Sequence, residues 1–177
     1  VFASVWKWIF AGDGSGILNY FLTQLHIVKA PVSWLTTERG AMTALIITNI
    51  WRGVPFNMLL LATGLTTLPE ELFEAAAIDG ANRIQRFCHI TLPLLKPTIL
   101  SVVTLGFIYT FKAFDLIYIM TNGGPLDSTQ ILATASYKLT FSNFEFGQGA
   151  AVANIMLILL LVVAIFNLKL MEKEEVM

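Results

Sequence analysis

Few residues in this sequence could do chemistry in an apolar setting, and their spacing sorts them into stripes. Asn49, Gly53 and Asn57 recur at i, i+4 and i+8, which predicts one helical face, with Arg52 flanking it. An asparagine amide is donor and acceptor at once, the pairing a polyhydroxylated solute needs. Pro55 lacks an N–H and frees the Trp51 carbonyl, which favours a bend beside that stripe. Ser101, Thr104, Lys112 and Asp115 share a second face. Lys112 and Asp115, three residues apart, are spaced to pair and so lower the cost of each charge. Tyr109 and Phe111 add ring faces nearby, and Asn154 is the one polar residue that stands out further on. Polar groups at membrane depth line a pathway or the bundle interior. The other use open to each is a helix-to-helix hydrogen bond.

Nothing in the sequence completes a catalytic set around these residues. His26 and His89 stand apart from other ligands, which argues against a metal site, and a Ser-His-Asp arrangement is not evident. There is no phosphate-binding Walker loop, so any ATP hydrolysis belongs to another chain. An intramembrane enzyme would need a nucleophile and a base at membrane depth, yet both histidines fall outside the apolar stretches. A secondary transporter or channel would account for charges inside spans, but not for the polar loop described below.

The elements that must position these residues follow from composition. Of 177 residues, 56% are hydrophobic and 13% charged, against roughly 45–50% and 25% in soluble domains. Eleven Lys+Arg against twelve Asp+Glu leave no basic excess for nucleic acid. Thirteen Phe and four Trp exclude disorder, and the single Cys88 excludes a disulfide scaffold. An all-α membrane protein remains. A span needs roughly 20 apolar residues, and three windows qualify: 41–65, 97–120 and 150–168. The run 1–10 is apolar but short and lacks a signal peptide's basic start. It reads as the tail of a span whose beginning is missing, with Trp6 and Trp8 in an interfacial belt. The chain is therefore expected to be a fragment. Leu18, Phe21, Leu22 and Leu25 give a helix suited to the membrane surface, and a weaker amphipathic piece surrounds Ile131–Leu139.

The stretch 66–96 is polar and crisply punctuated. Thr67 and Glu70 form a capping box, with Pro69 in the first turn, and Glu70, Glu71 and Glu74 suit the positive end of a helix that runs to about Ile78. Asp79-Gly80 stops it, Gly80 taking a left-handed cap. Asn82, with Gln85 three residues on, starts a second helix expected to end before Pro93. If 66–96 and the C-terminal tail are cytoplasmic, Arg83, Arg86, Lys96, Lys169 and Lys173 lie inside and Lys29, Arg39 and Lys138 outside, in weak agreement with the positive-inside rule.

Within this loop, Glu74, Ala75, Ala76, Gly80, Ile90, Leu92 and Pro93 meet the pattern E-A-A-x3-G-x9-I-x-L-P, with nine residues between Gly80 and Ile90. That pattern resembles the signature loop of ABC-importer permeases. The stretches WKWIF, NIWRGVPFNMLLLATGL, LPLLKP, FDLIYIMTNGGP and LKLMEKEE are similar to the maltose-type branch of sugar permeases. The likeness runs over essentially the whole chain, read as one permease domain, 1–177. It implies a transmembrane helical bundle in a prokaryotic inner membrane. Glu74, Ala75, Ala76, Asp79, Gly80, Ile90, Leu92 and Pro93 would form a cytoplasmic coupling element on an ATPase subunit, and Asn49, Arg52, Gly53, Asn57, Tyr109, Lys112 and Asp115 would be pathway candidates. It also implies a second permease and an extracellular or periplasmic solute-binding protein. This chain would bind no cofactor, ATP and Mg belonging to the partner ATPase. The small alanines let the loop helix enter a groove closely, and the Glu74 carboxylate suits a basic or amide partner. A sugar is the implied solute. Arg52 and Lys112 leave glycerol phosphate, phosphate or an amino acid open.

Overall fold

The computed structural model describes residues 1–175, with side chains described through Asn167 and at Lys169. The Lys173 side chain, counted above among the inner charges, lies outside the described residues. Chain order is α1 (Phe2–Ile9), α2 (Ile17–Gln24), a 3-10 turn (Trp34–Thr36), α3 (Glu38–Thr66), α4 (Glu70–Ile78) and α5 (Arg83–Arg86). A π turn (Phe87–Thr91), α6 (Leu92–Leu94), α7 (Lys96–Phe111), α8 (Phe114–Met120), α9 (Leu132–Tyr137), a second π turn (Lys138–Ser142) and α10 (Phe146–Glu175) follow. No strand occurs among the described residues. α3, and α10 through Asn167, are each long and apolar enough to cross a membrane. The bent pair Arg83–Leu94 and Lys96–Phe111, turned by 65°, passes the same test taken together.

The chain clusters into two compact units, 1–52 with 109–159, and 53–108 with 160–177. In the first, α1, α3 and α8 bury Ala3, Phe10, Ala44, Leu45, Leu116, Ile117 and Met120, with Trp6, Trp34 and Ile131 packed around them. Aromatic rings extend this core: Trp6 lies 5.9 Å from both Phe10 and Trp51. The segment joining α1 to α3 is fastened by Asn19, which is 1% exposed. Its amide donates to the Ala11 and Val32 carbonyls and its oxygen accepts from the Val32 N–H and the Trp34 indole. One buried side chain thus satisfies main-chain groups of a connecting segment that has no ladder of its own. The exposed face of α2 carries Tyr20, Phe21 and Leu25.

In the second unit, α3 and α7 approach closely at Gly64. A Cβ there would meet the Thr98 side chain at 2.8 Å and Leu95 at 3.0 Å, so a larger residue would require those side chains to shift.

Two sequence expectations give way here. The window 97–120 is not one helix: α7 ends at Phe111, and Ala113, at φ −72 and ψ 54, leaves the helical region before α8 begins. The face shared by Ser101, Thr104, Lys112 and Asp115 is therefore interrupted. Nor does the helix after Asn82 stop before Pro93. Proline lacks a donor and crowds the carbonyl four residues back. The chain accommodates it by widening: the Leu92 N–H reaches the Phe87 carbonyl, five residues back, and Pro93 enters as the second residue of α6.

Candidate functional site: a loop lever and an interhelical charge pair

The loop between α3 and α7 builds its geometry from short-range hydrogen bonds. The capping box expected at Thr67 does not form. Thr67 donates instead to the Gly64 carbonyl at the end of α3, and Pro69, not Thr67, occupies the N-cap position with no side-chain cap bond. Leu68 precedes a proline and is biased away from helix, which holds the start of α4 to Glu70. Glu70 and Glu71 sit in the first turn, where the exposed N–H groups favour acids.

At the other end α4 closes as predicted. Ala81 N–H donates to the Ala76 carbonyl and Gly80 N–H to the Ala77 carbonyl, with Gly80 at φ +78, a Schellman closure. Asn82 then caps α5: its side chain accepts from the Gln85 N–H at 2.9 Å while Gln85 accepts from the Asn82 N–H at 2.8 Å. The loop is a helix, a glycine-dependent reversal and a second helix, with little slack between them. Glu74, Ala75 and Asp79 are exposed; Ala76 and Ile90 are half-buried; Leu92 and Pro93 are exposed on the second helix. Ile78 is 87% exposed, Ile84 75% and Phe87 54%, an apolar surface uncovered within this chain.

In the first unit, Arg52 of α3 donates to Asp115 of α8 at 3.4 Å. This is not the pairing the spacing suggested. The break at Ala113 separates Lys112 from Asp115, so Asp115 turns to α3 instead of to its chain neighbour. Asn49 donates to the Thr110 hydroxyl at 3.0 Å, a second polar link between α3 and the end of α7. Thr110 went unremarked in the sequence, where a lone threonine in an apolar run carries no signal. Tyr109 is exposed, as is Lys112. In the second unit, Gly53 and Asn57 share one face of α3, a Cβ on Gly53 lying 3.6 Å from the Asn57 amide. Asn57 lines an apolar groove of about 400 Å³ with Val54, Met58, Leu61, Ala62 and Leu65. Ser101 and Thr104 bond the Pro97 and Leu100 carbonyls of their own helix, and Asn154 is exposed. Among the described residues no cluster of three or more His, Cys, Asp or Glu could hold a metal.

Known proteins resemble this chain over most of its length. A protein of Brucella suis described as "Probable ABC transporter permease protein" is 38% identical over 173 residues, covering 98% of this chain and 60% of its own length. The trehalose/maltose transport system permease protein MalF of Thermococcus litoralis is 38% identical over 154 residues, covering 87% of this chain and 51% of its own. The chain thus spans between half and two thirds of the length of these relatives. The crystal structure of a bacterial ABC transporter that imports the acidic polysaccharide alginate superimposes with a TM-score of 0.84 at 21% identity, over 97% of this chain and 59% of that one, and so shares the fold. The family model described as "Binding-protein-dependent transport system inner membrane component" matches residues 1–173, and the chain belongs to that family.

Proposed function

We propose that this chain is part of a membrane-spanning permease subunit of an ATP-driven importer that passes a sugar, one permease domain over 1–177 with the tail of a span at about 1–10 and membrane-crossing segments at 41–65, 97–120 and 150–168. The observation that carries the reading is the loop lever. Its reversal is fixed at Gly80, its second helix is capped at Asn82, and Ile78, Ile84 and Phe87 stand uncovered beside Glu74. Bulky apolar side chains at that exposure mark a partner surface. The partner is a cytoplasmic ATPase subunit, which binds ATP and Mg and hydrolyses the nucleotide. This chain contributes no covalent chemistry. A second permease completes the pathway, and a solute-binding protein delivers the sugar on the opposite side of the lipid membrane. The sugar reading draws on the trehalose/maltose relative. It draws also on charge: Arg52 brings its own counter-ion in Asp115, a neutral pair poorly suited to an anion such as glycerol phosphate.

Glu74→Lys tests the docking. Losing a charge-assisted hydrogen bond costs roughly 1.5–3 kcal/mol, about a ten- to hundredfold loss of affinity. Glu74→Lys should therefore lose the ATPase on co-purification, whereas Glu74→Gln, which keeps shape and an acceptor, should retain most of it. Full retention and full substrate-stimulated hydrolysis with the lysine variant would refute the assignment.

A further inference from the structure

The first unit holds a cleft that the pathway and the coupling loop leave unused. It has a volume of about 240 Å³, and Phe114, Tyr137, Phe141 and Met156 of α10 are among the residues that line it. The rings form a continuous wall. Phe114 lies 5.0 Å from Tyr137, Tyr137 lies 5.1 Å from Phe141, and Tyr118 contacts both Phe114 and Tyr137 at 5.1 Å. Of the lining hydroxyls, Ser136 is already committed, donating to the Gly149 carbonyl at 2.8 Å, and Thr140 lies against Gly149, where a Cβ would clash. What the cleft offers a ligand is therefore ring face, suited to the C–H face of a flat polar molecule.

Two further observations bear on the occupant. The backbone beneath the wall is a π turn, Lys138–Ser142, closed by the Asn143 N–H on the Lys138 carbonyl, and such turns recur at functional sites. Lys138, next in chain to Tyr137, pairs with Asp127 at 3.2 Å, both side chains more than half exposed. Charged side chains therefore stand beside that end of the cleft. A lipid acyl chain calls for an aliphatic trough away from such charges. The volume is below the roughly 300–1,000 Å³ of a pocket for a drug-sized ligand, which limits the occupant to about one ring.

We propose that this aromatic cleft is a stacking site for a single ring of the transported sugar, on the outer side of the pathway. The inference rests on the sugar reading above. A local probe tests it. Cys88 is the chain's single cysteine, so Cys88→Ser with Ala133→Cys, a residue lining the cleft, places one thiol there. The complete importer, reconstituted in vesicles, is first assayed for uptake of glucose, maltose and trehalose. Any sugar taken up is then tested for protection of the cleft thiol against a maleimide. We expect at least fivefold slower labelling at saturating sugar. Tyr137→Phe should keep the protection, and Tyr137→Leu, which fills similar space without a ring, should lose it. Sugar uptake with no protection, or protection that survives Tyr137→Leu, overturns the stacking site and leaves sugar import standing. If none of the sugars is taken up, the sugar reading falls and the stacking site falls with it.

Discussion

An arginine within an apolar helix is costly unless something answers its charge, and α3 contains Arg52. In water an exposed ion pair contributes about 0–1 kcal/mol. At the centre of a membrane helix an unanswered Arg or Asp costs roughly 2.5–3.5 kcal/mol. The environment therefore decides how much Asp115 matters, and its 3.4 Å approach to Arg52 makes it the answering charge. Asp115→Asn should lower the yield of intact complex after detergent extraction and cut uptake severalfold. The exchange R52D/D115R should recover much of both, because a swapped pair keeps the neutral sum. If the exchange is as defective as Asp115→Asn, the residues act singly and not as a pair. Lys112 sits at the break between α7 and α8 and is exposed.

At the scale of elements, local rules read some boundaries correctly and long-range geometry redirected others. Gly80 and the Asn82–Gln85 capping box were legible because both depend only on residues within a turn or two. The end of α4 at Ile78 was legible for the same reason. Thr67 was misread because two acceptors compete for one hydroxyl, and the end of α3 lies closer than the start of α4. The break at Ala113 carried no signal. It has neither proline nor glycine, and an apolar run looks alike whether straight or broken. Pro93 misled in the other direction, since a π turn can absorb a proline that an α-helix would reject. The partner of Asp115 depended on that unseen break, so half of the charged site was beyond sequence reasoning. Gly80 gives the element-scale test. A Cβ there meets nothing within 4 Å, so substitution acts through φ alone. A non-glycine residue in that region costs about 1–2 kcal/mol, with Asn the mildest. Gly80→Asn should leave ATPase coupling nearly intact, while Gly80→Val should uncouple hydrolysis from uptake. Equal behaviour of the two in substrate-stimulated hydrolysis would mean that the reversal is not what the lever requires.

At the scale of the whole molecule, the two proposals, ATPase docking by the loop and sugar stacking in the cleft, each make a demand on topology. An element that docks on an ATPase must face the cytoplasm, and a cleft that receives sugar from a binding protein must face out. The charge count behind that orientation is weak: five basic residues against three, and one of the five outside the described side chains. Chemistry can settle it because the chain has a single thiol. Cys88 lies in the first π turn, exposed and free, on the second helix of the loop. A membrane-impermeant maleimide added to intact cells should leave it unmodified. The same reagent should label it in inverted vesicles stripped of the ATPase, which would otherwise shield it. The cleft reporter, Ala133→Cys in a Cys88→Ser background, should behave in reverse, labelling from outside and not from within. The two results are independent, since a permeable reagent or broken cells would label both thiols under both conditions. Labelling of Cys88 from outside, with the cleft thiol protected there, would invert the topology and remove the physical basis for ATPase docking.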